Sequence, residues 1–155
     1  MMKLVDGISH VATVTEDLDR MTAFYRRVFD AEVSEVMSED GVRHAFILVG
    51  DDAAVHAFEV PWAQLDDRQE MFDRGRLDHF GITVPTAAAL DAVRRRLRAE
   101  GADTTDDQLR DFGALYSLHF VDPDGVHLEV NLFKQGWRPE QMLHRDEWAT
   151  VDAPA

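Results

Sequence analysis

The chain has 155 residues, with 16 Lys or Arg against 30 Asp or Glu and a formal net charge of −14. A field of that sign repels nucleic-acid backbones and anionic membrane surfaces, which excludes both as partners. There is no cysteine, so disulfide scaffolds, thiolate metal sites, iron–sulfur clusters and cysteine nucleophiles are ruled out. Hydrophobic residues make up 45%, enough for a folded core, and no apolar run reaches membrane-span length. The expectation is one cytoplasmic structural domain.

Leu4 to Val14 is rich in β-branched residues and predicts a strand. Thr15, ahead of Glu16 and Asp17, predicts a helix cap. Leu18, Met21, Phe24, Tyr25 and Val28 then recur at helical spacing and predict a helix ending near Phe29–Asp30. A short strand follows over Val33–Met37, a hairpin turn at Glu39-Asp40-Gly41, and a strand over Val42–Val49. Gly50-Asp51-Asp52 turns into a strand over Ala54–Val60, which Pro61 stops. Residues 61–76 read as a connector with one helical turn around Asp66–Phe72. Leu77–Val84 predicts a strand. Thr86 predicts a helix cap, and the helix carries Leu90, Val93 and Leu97 on one stripe and ends at Gly101. Ala102–Thr105 is a weak strand and Leu115–Val121 a strong one. Asp122-Pro123-Asp124-Gly125 is a turn, and Val126–Phe133 is the last strand. Residues 134–155 form a tail in which Trp137 and Trp148 are expected to pack on the fold.

The pattern is a repeat. His10 and His79 are 69 residues apart, Asp30-Ala31-Glu32-Val33 and Gly101-Ala102-Asp103-Thr104 are 71 apart, and Phe58-Glu59-Val60 and Leu128-Glu129-Val130 are 70 apart. Two βαβββ modules, residues 1–60 and 77–133, follow from this near-constant offset. Period two divides the last strand into an apolar row facing its helix, Val126, Leu128, Val130 and Leu132, and a polar row on a concave face, His127, Glu129 and Asn131. An offset of 70 places Ala57 and Glu59 on the matching concave face of the first module and sends His56 to the helix side. His10 and His79 fall mid-strand, each with a small residue, Ala12 or Gly81, two positions on.

Two strands then each deliver a histidine and two each deliver a glutamate. Neutral imidazoles with one or two carboxylates suit a divalent ion such as Fe(II), Mn(II), Ni(II), Co(II) or Zn(II), with positions open for substrate. The expected ligands are His10, His79 and Glu129, with Glu59 as fourth ligand or as a base beside Glu129. His44, His119 and Tyr116 on the middle strands are candidates to line the cavity. Arg110, placed in a loop, is a candidate for an anionic substrate group. Arg94, Arg95, Arg96 and Arg98 read as a solvated helix face, and Asp51-Asp52 and Asp106-Asp107 as turn acids.

Four segments carry a family resemblance: Gly7-Ile8-Ser9-His10-Val11; Phe24-Tyr25-Arg26-Arg27-Val28-Phe29; Leu77-Asp78-His79-Phe80-Gly81-Ile82; and Phe120-Val121-Asp122-Pro123-Asp124-Gly125-Val126-His127-Leu128-Glu129. Over roughly residues 4 to 133 the chain resembles the vicinal oxygen chelate superfamily of glyoxalases, extradiol dioxygenases and fosfomycin and bleomycin resistance proteins. The resemblance implies an α+β fold of two tandem βαβββ modules forming a half-open eight-stranded barrel-like sheet around a divalent metal. It also implies a homodimer, with His10, His79 and Glu129 as ligands and Glu59 at the fourth position of glyoxalase-like members. Phe120 stands where extradiol members carry a Tyr. The implied activity is a metal-dependent lyase or isomerase acting on a small oxygenated metabolite. The alternatives are an extradiol-type dioxygenase on a catechol-like aromatic and a non-catalytic small-molecule or antibiotic-binding resistance protein.

Overall fold

The computed structural model describes residues 8–63, 77–102, 104, 108–138, 141 and 147–154. The chain divides into two compact units, Met1–Leu65 and Asp66–Ala155. The connector turn predicted over 66–72 and the acids Asp106 and Asp107 lie outside the described residues.

The first unit runs β1 (His10–Thr15), α1 (Leu18–Phe29), β2 (Met37–Glu39), β3 (Val42–Leu48) and β4 (Ala54–Glu59). Its sheet order is β1-β4-β3-β2, with β1 parallel to β4 and the β2-β3-β4 meander antiparallel. Leu18, Met21, Tyr25 and Val28 of α1 are fully buried against Ala45, Ile47, Val55 and Ala57 of the sheet. Burial of each large side chain contributes about 1.5–3 kcal/mol. The helix cap is Asp17, whose Oδ1 accepts from Arg20 N at 2.9 Å, and not Thr15; the Thr15 hydroxyl instead accepts from Asp17 N and orders the approach to the cap. The helix ends on Asp30 at φ 54. The predicted strand at Val33–Met37 is reduced to a single bridge between Val33 and Ile47, and β2 begins only at Met37. Asp40 and Gly41, at φ 50 and 82, form the left-handed pair that a tight hairpin turn requires.

The second unit repeats this plan with β5 (Phe80–Thr83), α2 (Ala87–Glu100), β6 (Leu109–Asp111), β7 (Leu115–Val121) and β8 (His127–Phe133), and adds β9 (Ala149–Val151). The order is β5-β8-β7-β6-β9. Thr86 caps α2 by accepting from Ala89 N, and Gly101 ends it at φ 67. In the turn before β8, Asp122 Oδ1 accepts from Asp124 N and Val126 N.

Two expectations change here. Neither Ala102 nor Thr104 is in a strand; the strand that follows α2 is β6, and it includes Arg110. The tail supplies β9, which pairs antiparallel with β6 through Leu109–Val151 and Asp111–Ala149. Each of these strands is three residues long, too short for a period-two pattern to show. As expected, the tail tryptophans pack, Trp137 on Phe133 and Trp148 on Phe112, each with ring centres 4.3 Å apart. The arginine stripe of α2 lies outside the core, with Arg95 paired to Asp91 and Arg94 donating to the Asp152 carbonyl. Among the described residues no helix is long and apolar enough to cross a membrane.

Candidate metal centre

In the second unit the period-two reading holds. Leu128 and Val130 are fully buried on the α2 side, and Glu129 lies on the other face, paired across the sheet with Gly81 and with His119. His79 directly precedes β5, one residue outside the strand that was predicted to contain it centrally. Its Nδ1 lies 2.6 Å from Asp78 Oδ2. With Nδ1–H donating to that carboxylate, the Nε2 lone pair is left for another partner, as orienting carboxylates do for metal-binding histidines. Nε2 sits 3.9 Å from Glu129 Oε1. That is too long for a hydrogen bond. It leaves the two donor atoms facing each other across a gap a few tenths of an ångström wider than two ligands about 2.0–2.2 Å from one tetrahedral ion would show.

Glu129 is held from its other oxygen. Asn131 Nδ2 donates to Oε2 at 3.4 Å, and Asn131 is nine-tenths buried, with its own Oδ1 unpartnered among the described residues. The amide occupies the space beside Gly81. A Cβ on residue 81 would stand 2.4 Å from Asn131 Nδ2, so the small residue makes room for the amide that steadies the glutamate. Gly81→Ala is therefore expected to push Asn131 aside, cost about 1–3 kcal/mol by overpacking, and weaken metal uptake. Thermal melts and calorimetric metal titration of the same preparation check both effects.

The first unit departs from the sequence reading. Glu59 does not face away from the helix. Its Oε2 accepts from Leu18 N at 2.8 Å, at the N-terminus of α1, and its carboxylate is paired with Arg43 at 2.9 Å. Arg43 in turn reaches Asp19; the bonds to Asp19 first, and then to Glu59, raise the guanidinium above its ordinary pKa. A carboxylate that meets a helix N-terminus and an arginine is engaged in the fold of its own unit, on the helix side and not on the face from which the sequence reading had it serve as fourth ligand or base. His56, assigned to the helix side, lies on the opposite face. Ala12 pairs with His56 in the first sheet, where Gly81 pairs with Glu129 in the second. Likewise Phe46 pairs with His56 where His119 pairs with Glu129. The hairpin strands are thus equivalent at an offset of 73 residues, not 70. An odd shift exchanges the two faces of a strand.

His10 opens β1, with Nδ1 3.0 Å from Ser9 Oγ, as Asp78 meets His79 in the second unit. Around His56 the face is aromatic. Its ring stacks on Phe46 at 3.9 Å and leans on Phe58 at 4.1 Å, with the His10 ring centre 5.8 Å away. His44 Nδ1 is 2.9 Å from His56 Nε2, and His44 Nε2 is buried without a partner among the described residues. Desolvation, then the neighbouring His44 and His10, lower the pKa of His56, so its imidazole is neutral near pH 7. Of the proposed lining residues, His44 and His119 lie on the faces away from the helices, each paired opposite a residue of that face. Tyr116 alternates with them on the helix side, beneath Lys134. Among the described residues no three His, Asp or Glu side chains are gathered closely enough to hold an ion.

A family model described as the Glyoxalase/Bleomycin resistance protein/Dioxygenase superfamily matches residues 7–130. A metallothiol transferase FosB from Shouchella clausii is 27% identical over 152 residues, covering 94% of this chain and 91% of the relative. A glyoxylase/bleomycin resistance protein/dioxygenase domain from Frankia sp. superposes with a TM-score of 0.72 at 26% identity, over 85% of this chain and 95% of that one. The fosfomycin resistance protein FosX from Listeria monocytogenes, solved with Mn(II) and sulfate, shares the fold at a TM-score of 0.64 and 20% identity, over 87% and 98% of the two chains.

Proposed function

Because the chain belongs to the glyoxalase/bleomycin resistance protein/dioxygenase superfamily, we propose that it is a divalent-metal-dependent enzyme for a small substrate bearing adjacent oxygens. The ion would be held by His79 and Glu129 of the second unit. The observation that carries this reading is the pair His79 Nε2 and Glu129 Oε1, 3.9 Å apart, with the imidazole tautomer set by Asp78. Two protein donors leave the ion's remaining coordination positions to water and substrate oxygens. A bound divalent ion supplies Lewis acidity, polarising a substrate carbonyl or hydroxyl. Glu129 Oε2, steadied by Asn131, is the oxygen that takes or returns a substrate proton in an isomerase- or lyase-type reaction. The proposed assembly is a homodimer, because among the described residues β1 and β5 each lie last in the order of their own sheet and Val14 of β1 is half exposed.

A second reading is an extradiol-type dioxygenase, favoured by the aromatic face on which Phe46 stacks on His56 and Phe58 leans against it, a surface suited to a flat catechol. Metal analysis of the purified protein tests the proposal, with activity on hemithioacetals and dioxygen uptake on catechols measured after loading. Stoichiometric metal in the wild type, lost in His79→Ala, is the expected result. Turnover without oxygen uptake then supports the isomerase or lyase, and oxygen uptake with Fe(II) supports the dioxygenase. Tight binding of a small molecule without metal or turnover overturns the enzyme reading in favour of a sequestering protein.

A further inference from the structure

We infer that the face of the second unit that carries Glu129 also holds a carboxylate of the substrate, with Arg110 as its cation and an aromatic row beside it, so that the substrate is a small arylalkyl carboxylate. This rests on the proposed function for its meaning, but its binding chemistry is measurable without the ion. Strand register assembles the face in rows, because directly opposite residues of paired strands share a face. Gly81, Glu129 and His119 form one row. Thr83, Asn131, Ser117, Arg110 and Thr150 form the next, one residue from each strand of the sheet. Arg110 thus shares the face of Glu129 and stands two strands away, about 10 Å between the strand axes. Asp111, next along β6, lies on the opposite face, where both its oxygens accept from Lys134 Nζ at 2.9 Å.

Among the described residues of these five strands, Arg110 is the one Lys or Arg. In a chain of net charge −14, a guanidinium on this face supplies the local attraction that an anion needs against a repelling field. Its planar fork matches a carboxylate with two parallel hydrogen bonds. The side chains that share its row on β7 and β8, Ser117 and Asn131, are short, polar and buried, which leaves room above them for a ligand. The third row is apolar. Phe112 N donates to Leu115 O at 2.9 Å, which continues the β6–β7 register, and Leu115 pairs with Phe133 on β8. Trp148 packs on Phe112 with ring centres 4.3 Å apart and is 37% exposed, so it offers ring surface to a ligand. Consecutive rows are two residues, about 6.5 Å, apart, a span that two methylenes bridge between a carboxylate and a phenyl ring.

The test uses the full-length protein stripped of metal, titrated with 3-phenylpropanoate, its neutral amide 3-phenylpropanamide, acetate and inorganic phosphate, and followed by the NMR signals of the tryptophan indole N–H groups. The wild type is expected to bind 3-phenylpropanoate at least about tenfold more tightly than the amide, which lacks the charge, and than acetate or phosphate, which lack the ring, with a shift of the Trp148 signal. Arg110→Gln is expected to lose the preference for the acid over the amide. Arg110→Lys keeps the charge without the fork and is expected to retain part of it, which separates loss of charge from loss of fold. Arg95→Gln, on the solvated face of α2, is expected to keep all of it. Equal affinity for acid and amide in the wild type, or a preference unchanged in Arg110→Gln, overturns the inference. Acetate or phosphate binding as tightly as 3-phenylpropanoate overturns the arylalkyl substrate class. Arg110-dependent binding in a protein that takes up no metal overturns the proposed function and leaves this subsite standing; stoichiometric metal without any Arg110-dependent preference does the reverse.

Discussion

Glu129→Gln is expected to weaken Zn(II) or Mn(II) binding by at least about 100-fold, since loss of an outer partner of a ligand alone costs about 10–100-fold. Stability should hardly change. The amide is isosteric, and its oxygen still accepts from Asn131 Nδ2, which now lies 3.4 Å from Glu129 Oε2. What disappears is the negative charge beside His79 Nε2. Calorimetric metal titration and a thermal melt on the same sample decide the matter. Wild-type affinity in the variant would remove Glu129 from the proposed set.

Glu59→Ala is expected to do the reverse. The side chain is 15% exposed and accepts from Leu18 N and from Arg43. Charge-assisted bonds of this kind are worth about 1.5–3 kcal/mol where partly buried. Truncation leaves a helix-terminal N–H without its acceptor and Arg43 with Asp19 as its remaining partner among the bonds described above. A loss of about 2–3 kcal/mol follows, or roughly 5–10 °C in melting temperature for a chain of this size. Metal affinity should stay within about twofold of wild type, because the carboxylate lies on the helix side of its sheet. A large drop in metal affinity with an unchanged melt would return Glu59 to the ligand set. The two glutamates look interchangeable in the sequence, and the pair of measurements separates them by role.

Much of the fold was legible because local signals agreed. The α1 stripe from Leu18 to Val28 is buried as its spacing demands, and Thr86 and Gly101 bound α2 as cap chemistry requires. The Asp122–Gly125 turn and the alternation of β8 placed Glu129 on the correct face. The reading failed where strands were short. β6 and β9 have three residues each, and a pairing between segments so distant in sequence leaves no periodic trace in either.

By itself the sequence determined the duplication, the two helices and the chemistry of the donor side chains, because these depend on residue type and on spacing within one element. Which side chain of the first unit is the counterpart of Glu129 was decided only by the tertiary structure. That depends on strand register, and the three residues that separate an offset of 73 from one of 70 reverse the faces without altering the composition of either strand. The backbone pairing of Ala12 with His56 and the hydrogen bond from Leu18 to Glu59 are contacts between distant segments, and they assign one residue to the face with His10 and the other to the end of a helix.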